Sequence, residues 1–211
     1  KNNMVNIMEI KNLQIDDYIV NTNIFDNEVI GFYSKKKHIV TEFLLLAAGI
    51  NRSKDSCFYE EVDIYDNSYY FNNRLYIDCS SDIVQTLNVD KIIYAIKFAF
   101  NKNVNKEMLE HLIKQLAIRG ETDITLALEY IFSPVGRTLI NMALGLSINN
   151  HLIINNPTIN LTKDKDIDYL KMALKNHSGF KILGLDDYFN LIDILERMFV
   201  FTDFDSVIEF N

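Results

Sequence analysis

The stretch Leu152-Ile153-Ile154-Asn155-Asn156-Pro157-Thr158 decides how the chain is read. A short apolar run bounded by turn residues is the pattern of a strand buried on both faces. This one runs into two amides and then Pro-Thr, where the ladder cannot continue. Around it the chain alternates. Helix is predicted over about 134–148, strand over 151–155, helix over about 164–176, strand over 180–185, helix over about 187–195 and strand over 197–202. Strand–helix alternation of this kind implies an α/β fold with a parallel sheet covered by helices.

Upstream the pattern differs. Val5–Ile10, Tyr18–Val20 and Val29–Tyr33 read as short strands separated by Asp/Asn turns. Thr41–Ala48 reads as a buried helix, apolar on nearly every side. Asp63–Ile77, rich in Tyr, Phe and Asn, suits strands and loops better than helix. From Asp82 to Ile131 the apolar residues recur at helical spacing, among them Ile92, Ile93, Ile96, Ala99 and Phe100, and Gly120 is a natural stop. The expected organisation is one domain over 1–211, with a core of about 1–81 and 132–211 and a helical lobe at about 82–131.

Composition excludes several classes. With 48% hydrophobic residues, 2 Pro and 7 Gly, the 211 residues suffice for a core and leave no disordered linker. A net charge of -8 argues against a nucleic-acid partner, because phosphate backbones select basic surfaces. Cys57 and Cys79 show neither metal spacing nor a disulfide framework. His38, His111, His151 and His177 are scattered, so no metal site is expected. Lys1–Asn6 lacks the basic-then-apolar pattern of a signal peptide, and Phe43–Ile50 is far shorter than the roughly 20 residues of a membrane span.

With its blocks in order, the chain resembles the ATP-binding subunit of ABC transporters along almost its full length. Glu28-Val29-Ile30-Gly31-Phe32-Tyr33 is similar to the strand entering the phosphate loop, and Ala47-Ala48-Gly49-Ile50 to the Leu-Ala-Gly-Leu that ends the next helix. Leu87-Asn88-Val89-Asp90-Lys91-Ile92 resembles the segment that opens the helical lobe. Pro157-Thr158-Ile159-Asn160-Leu161 resembles the Pro-Thr-x-x-Leu after the magnesium strand, and Glu196-Arg197-Met198-Phe199-Val200-Phe201 the last core strand. The resemblance implies a P-loop NTPase-like core with an N-terminal β-subdomain and an inserted helical lobe.

It also assigns the site. In P-loop ATPases the magnesium strand ends in two acids, which hold the metal and the general base; here they are Asn155 and Asn156. An amide brings no charge and no titratable group, so it cannot deprotonate a water. The other reading makes them strand-end amides capping nearby backbone. A phosphate loop needs glycines, a lysine and a magnesium-binding hydroxyl. Counting back from Gly49 places Val40 at the lysine and Thr41 at the hydroxyl, with Ser34-Lys35-Lys36-Lys37-His38-Ile39 where glycines should stand. Lys35, Lys36 and Lys37 either hold an anion as loose point charges or form a solvated basic loop.

Ser133, in Phe132-Ser133-Pro134-Val135-Gly136-Arg137, falls at the signature loop, though Ser-Pro is also an ordinary helix start. Asp78-Cys79 replaces the glutamine that contacts the membrane subunit, and Asp186-Asp187 replaces the switch histidine, where a carboxylate would repel phosphate. Tyr18 is either the adenine-stacking aromatic or plain core. The groove for a permease helix is expected along Tyr76, Asp78, Cys79 and Asp82, with Tyr69, Tyr70 and Phe71 either anchoring that helix or filling the sheet.

The resemblance therefore implies a catalytically degenerate cassette, cytoplasmic and peripheral on the inner face of the membrane. Its partners would be a transmembrane permease and a second, competent ATPase subunit. No catalytic residue is expected, and ATP and magnesium enter through the resemblance alone. Two alternatives stay open: a soluble regulator with the same fold, and a weakly active ATPase using Lys35–Lys37.

Overall fold

The computed structural model describes residues 5–79, 151–159 and 161–211. Strands β1 (Asn6–Ile15), β2 (Tyr18–Phe25) and β3 (Val29–Ser34) lead into helix α1 (Lys37–Ala47). Next come β4 (Cys57–Tyr59), β5 (Val62–Asp63), helix α2 (Ser68–Asn73) and β6 (Arg74–Asp78). The remaining described elements are β7 (His151–Asn155), α3 (Asp164–Asn176), β8 (Lys181–Gly184), β9 (Arg197–Phe201) and β10 (Val207–Phe210). The chain divides into two compact units, Lys1–Tyr76 with Asn150–Asn155 and Ser178–Asn211, and Ile77–Asn149 with Asn156–His177.

The first unit holds two sheets. One is antiparallel, in the order β2-β1-β4-β5. Along β1 the residues Met8, Ile10, Leu13 and Ile15 are all buried, although the step from 10 to 13 breaks strict alternation. A register shift between Ile10 and Leu13, with Asn12 at φ 47, supplies the extra residue that keeps both halves facing the core. That bulge carries β1 well past the Ile10 boundary that alternation predicts.

The other sheet runs β10-β9-β3-β8-β7-β6. β3 pairs in parallel with both β8 and β9, and β7 in parallel with β8, while β10 folds back antiparallel on β9. Leu152–Asn155 and all of β8 are buried, as strands covered on both faces must be. α1 packs against this sheet through Ile39, Val40, Phe43, Leu44 and Ala47, a single helical stripe. Phe32 centres the contact, its ring 4.0 Å from that of Phe43 and 5.0 Å from that of Phe199. Each such side chain contributes about 1.5–3 kcal/mol by leaving water.

Several expectations need correction. α1 starts at Lys37 rather than Thr41, and it is not buried on every side: Thr41, Glu42, Leu45 and Leu46 are only half-buried. Helix α2 stands where strands and loops were expected. The Asn67 side chain accepts from the Tyr70 N–H, and the buried Tyr70 hydroxyl donates to the Ala47 carbonyl. Six residues are too few for a helix to persist alone, so this cap and tertiary contact hold it. Over 187–195 there is no α-helix but a chain of turns ending in a 3-10 turn at Ile192–Ile194, and Phe189 at φ 51 interrupts any helical path. β10 was not anticipated. The lobe expected at 82–131 and the helix expected at 134–148 lie outside the described residues.

In the second unit, α3 forms over the expected residues. Ile167, Leu170 and Leu174 line one buried stripe, with Asp164 and Asp166 in the first turn and Lys175 in the last, each complementing the helix dipole.

Candidate functional site

The carboxyl end of β7 brings three assigned positions together in the first unit. Asn155 is buried, and its Nδ2 donates to Thr41 Oγ1 at 3.1 Å. That hydroxyl in turn donates to the Lys37 carbonyl at 3.3 Å, so its proton is spent on the helix backbone. Gly184 lies beneath: a Cβ there would stand 2.7 Å from Asn155 Oδ1, 2.9 Å from Leu44 and 3.1 Å from Val40 Cγ1. The amide needs this glycine. Val40 itself is 3% exposed and turned toward the sheet, so an apolar side chain fills the place assigned to a lysine.

The backbone before Thr41 departs from a phosphate cradle. In the strand–loop–helix motif the lysine and hydroxyl open the helix; here Val40 and Thr41 already lie inside α1, which begins at Lys37. Only Lys35 and Lys36 separate β3 from α1. No residue from Glu28 to Ala48 adopts positive φ, whereas an anion nest alternates right- and left-handed residues. Ser34 Oγ accepts the Lys36 N–H at 3.1 Å, closing a tight turn instead.

Two of the three lysines are paired within the chain. Lys37 Nζ reaches Asp187 Oδ1 at 2.7 Å, and Lys35 Nζ reaches Asp203 Oδ2 at 3.4 Å. The Tyr33 hydroxyl also donates to Asp187 Oδ1, at 2.8 Å. The Lys37 and Tyr33 hydrogen bonds hold the Asp187 carboxyl below its ordinary range. Desolvation and then the bond to Asp187 push the Tyr33 hydroxyl up. Asp187 thus binds the loop that carries the lysines. Sequence reasoning saw it only as a charge repelling phosphate, and it missed Tyr33 and Asp203: contacts across 154 and 168 positions leave no local signal.

The remaining assignments separate. Asn156, in the second unit, adopts φ 53, and its carbonyl accepts the Ile159 N–H, so it makes the turn at the strand end. Tyr18 is 2% exposed, donates to the Thr202 carbonyl at 2.6 Å and meets the Phe201 ring edge-on, leaving no face for a base. Of the proposed helix anchors, Tyr70 is core, Tyr69 is exposed, and Phe71 and Tyr76 are half-buried. Cys79 is buried and its thiol pushed up by desolvation, so it offers no groove surface, while Asp78 is half-buried. Asp82 and Ser133 lie outside the described residues. An apolar recess of about 430 Å³ opens beside Phe189, Ile192, Met198 and Phe210, and neither Lys35–Lys37 nor Asn155 and Asn156 line it. Among the described residues no metal-binding cluster occurs, and no helix is long and apolar enough to cross a membrane.

No family model matches the sequence, and neither does any curated protein. The fold, in contrast, is shared with many solved structures. CbiO1 from Clostridium perfringens, part of the ABC transporter complex cbiONQ, is 16% identical over 98% of this chain and 88% of its own, with a TM-score of 0.71. The ATP-binding cassette MJ0796, solved as a dimer in a post-hydrolysis state with ADP and Pi, is 13% identical over 97% of this chain and 98% of its own, also at 0.71. The ADP conformation of the cassette MJ1267 is 11% identical over 97% and 91%, at 0.68. The chain therefore has the α/β fold of ABC ATP-binding cassettes, and at such identities the likeness is one of fold.

Proposed function

We propose that the chain is a catalytically silent cassette subunit of a membrane transporter. In this reading it is the structural partner of an active ATPase subunit and a permease, and is held at the inner face of the membrane. One observation supports the reading: Val40, Thr41 and Asn155, to which the resemblance assigns the lysine, hydroxyl and acid positions, gather at the carboxyl end of β7, yet none is charged and α1 already begins at Lys37. Without a cationic cradle the chain would bind nucleotide weakly, and with amides at Asn155 and Asn156 it would lack the base that the family uses on water. A fold preserved after its chemistry has gone suits a role in assembly. The cassette likeness, one of whose members is described as part of a transporter complex, supports that role.

Titration calorimetry with Mg-ATP, together with co-expression beside a permease and an intact ATPase encoded next to it, tests this. The expected result is no micromolar nucleotide binding and co-purification with both partners. Micromolar binding with turnover overturns the silent reading. A chain that stays monomeric beside both partners is instead a soluble regulator with the cassette fold.

A further inference from the structure

Segment 186–189 carries a feature that the silent reading alone does not explain. Phe189 stands at φ 51, a conformation that is unfavourable for a bulky residue and persists only where surroundings enforce it. Two attachments to the β3–α1 connection do so. The Phe189 ring meets the Tyr33 ring edge-on at 4.7 Å. Asp187 Oδ1 receives both the Tyr33 hydroxyl and the Lys37 ammonium, and that ammonium also lies 4.8 Å from the Tyr33 ring centre. Tyr33, Lys37, Asp187 and Phe189 thus close a ring of mutually supporting contacts at the carboxyl end of β3 and β8.

We propose that these four residues form a ligand-independent latch that fastens segment 186–189 to the start of α1. The inference deepens the silent reading: a contact that a nucleotide phosphate would have to bridge is made directly by a carboxylate of the chain. Segment and helix then stay joined whether or not nucleotide is present. An isolated exposed ion pair is weak, but four groups sharing one carboxylate and one ring constitute a network, and the strain at Phe189 indicates that the network prevails.

Hydrogen exchange read by mass spectrometry on the full chain tests the latch. Asp187→Asn should speed exchange of peptides covering 186–192 by about threefold to fivefold, with the core strands unchanged, since a network of this kind supplies an opening penalty of that order. Tyr33→Phe should act at the same peptides, less strongly. Raising salt to about 1 M should accelerate exchange there in the wild type but not in Asp187→Asn, because salt screens exposed pairs. Unchanged exchange at 186–192 in both variants overturns the latch. Protection of 34–41 by Mg-ATP in the wild type instead overturns the silent reading, so the two failures are distinguishable.

Discussion

Val40 occupies the position assigned to a phosphate-binding lysine, and its surroundings have closed around an apolar side chain. It is 3% exposed, and its Cγ1 lies beside the backbone of Gly184. Val40→Lys should therefore bury an uncompensated ammonium, costing about 3 kcal/mol out of a total of roughly 5–15, and should gain no nucleotide affinity. Urea denaturation beside calorimetry checks it; an equally stable variant with micromolar ATP affinity would show that the site is merely unfilled. Asp187 gives a second prediction at this scale. Its folded pKa is depressed by Lys37 and then Tyr33, so its contribution is present above the unfolded value and lost as pH falls through the folded one. The stability difference between wild type and Asp187→Asn should thus be fully present above the ordinary carboxylate range and shrink as pH falls below it. A difference that persists unchanged in acid contradicts the pairing.

At the scale of elements, α1 and β8 meet across a contact with no spare volume. Gly184→Ala would push a methyl to 2.7 Å from Asn155 Oδ1 and 2.9 Å from Leu44, so it should destabilise by about 1–3 kcal/mol. Thermal unfolding reads this, and an unshifted midpoint would mean that the amide moves freely. Within α1 the sensitive residue is Leu44, fully buried, rather than the half-buried Leu45. The same packing shows what the sequence discloses and what it hides. β7 and β8 were legible because strands buried on both faces are continuous apolar runs, and α3 because its apolar residues keep helical spacing. α2 was hidden because Tyr69, Tyr70 and Phe71 favour strands locally, while the Asn67 cap and the Tyr70–Ala47 bond decide otherwise. The start of α1 was misplaced for a related reason: three lysines and a histidine suggest a loop, yet Lys37 and His38 form its exposed first turn. At the candidate site the positions of Thr41 and Asn155 could be counted from Gly49 and the strand. The partners of Asp187 could not, since only the folded sheet brings them within reach.

For the whole molecule, the silent reading separates the fold from its chemistry, and a ligand-linked stability measurement tests that separation. A competent cassette binding Mg-ATP with a micromolar constant would gain about 4 kcal/mol at a thousandfold excess, since stabilisation follows the logarithm of ligand over dissociation constant. For a domain of about 200 residues that amounts to roughly 8–16 °C in the unfolding midpoint. Here the place for a cationic side chain is filled by Val40, the Thr41 hydroxyl is spent on Lys37 and Asn155, and Lys37 and Lys35 face Asp187 and Asp203. With a constant no better than millimolar, about 5 mM Mg-ATP supplies only about 1 kcal/mol, a shift of a few degrees at most. Differential scanning fluorimetry over a nucleotide series should show that shallow response, identical with and without magnesium because β7 ends in the uncharged Asn155. A shift of about 8 °C or more that requires magnesium would mean that α1 rearranges around the nucleotide, and the silent reading would give way to that of an atypical ATPase.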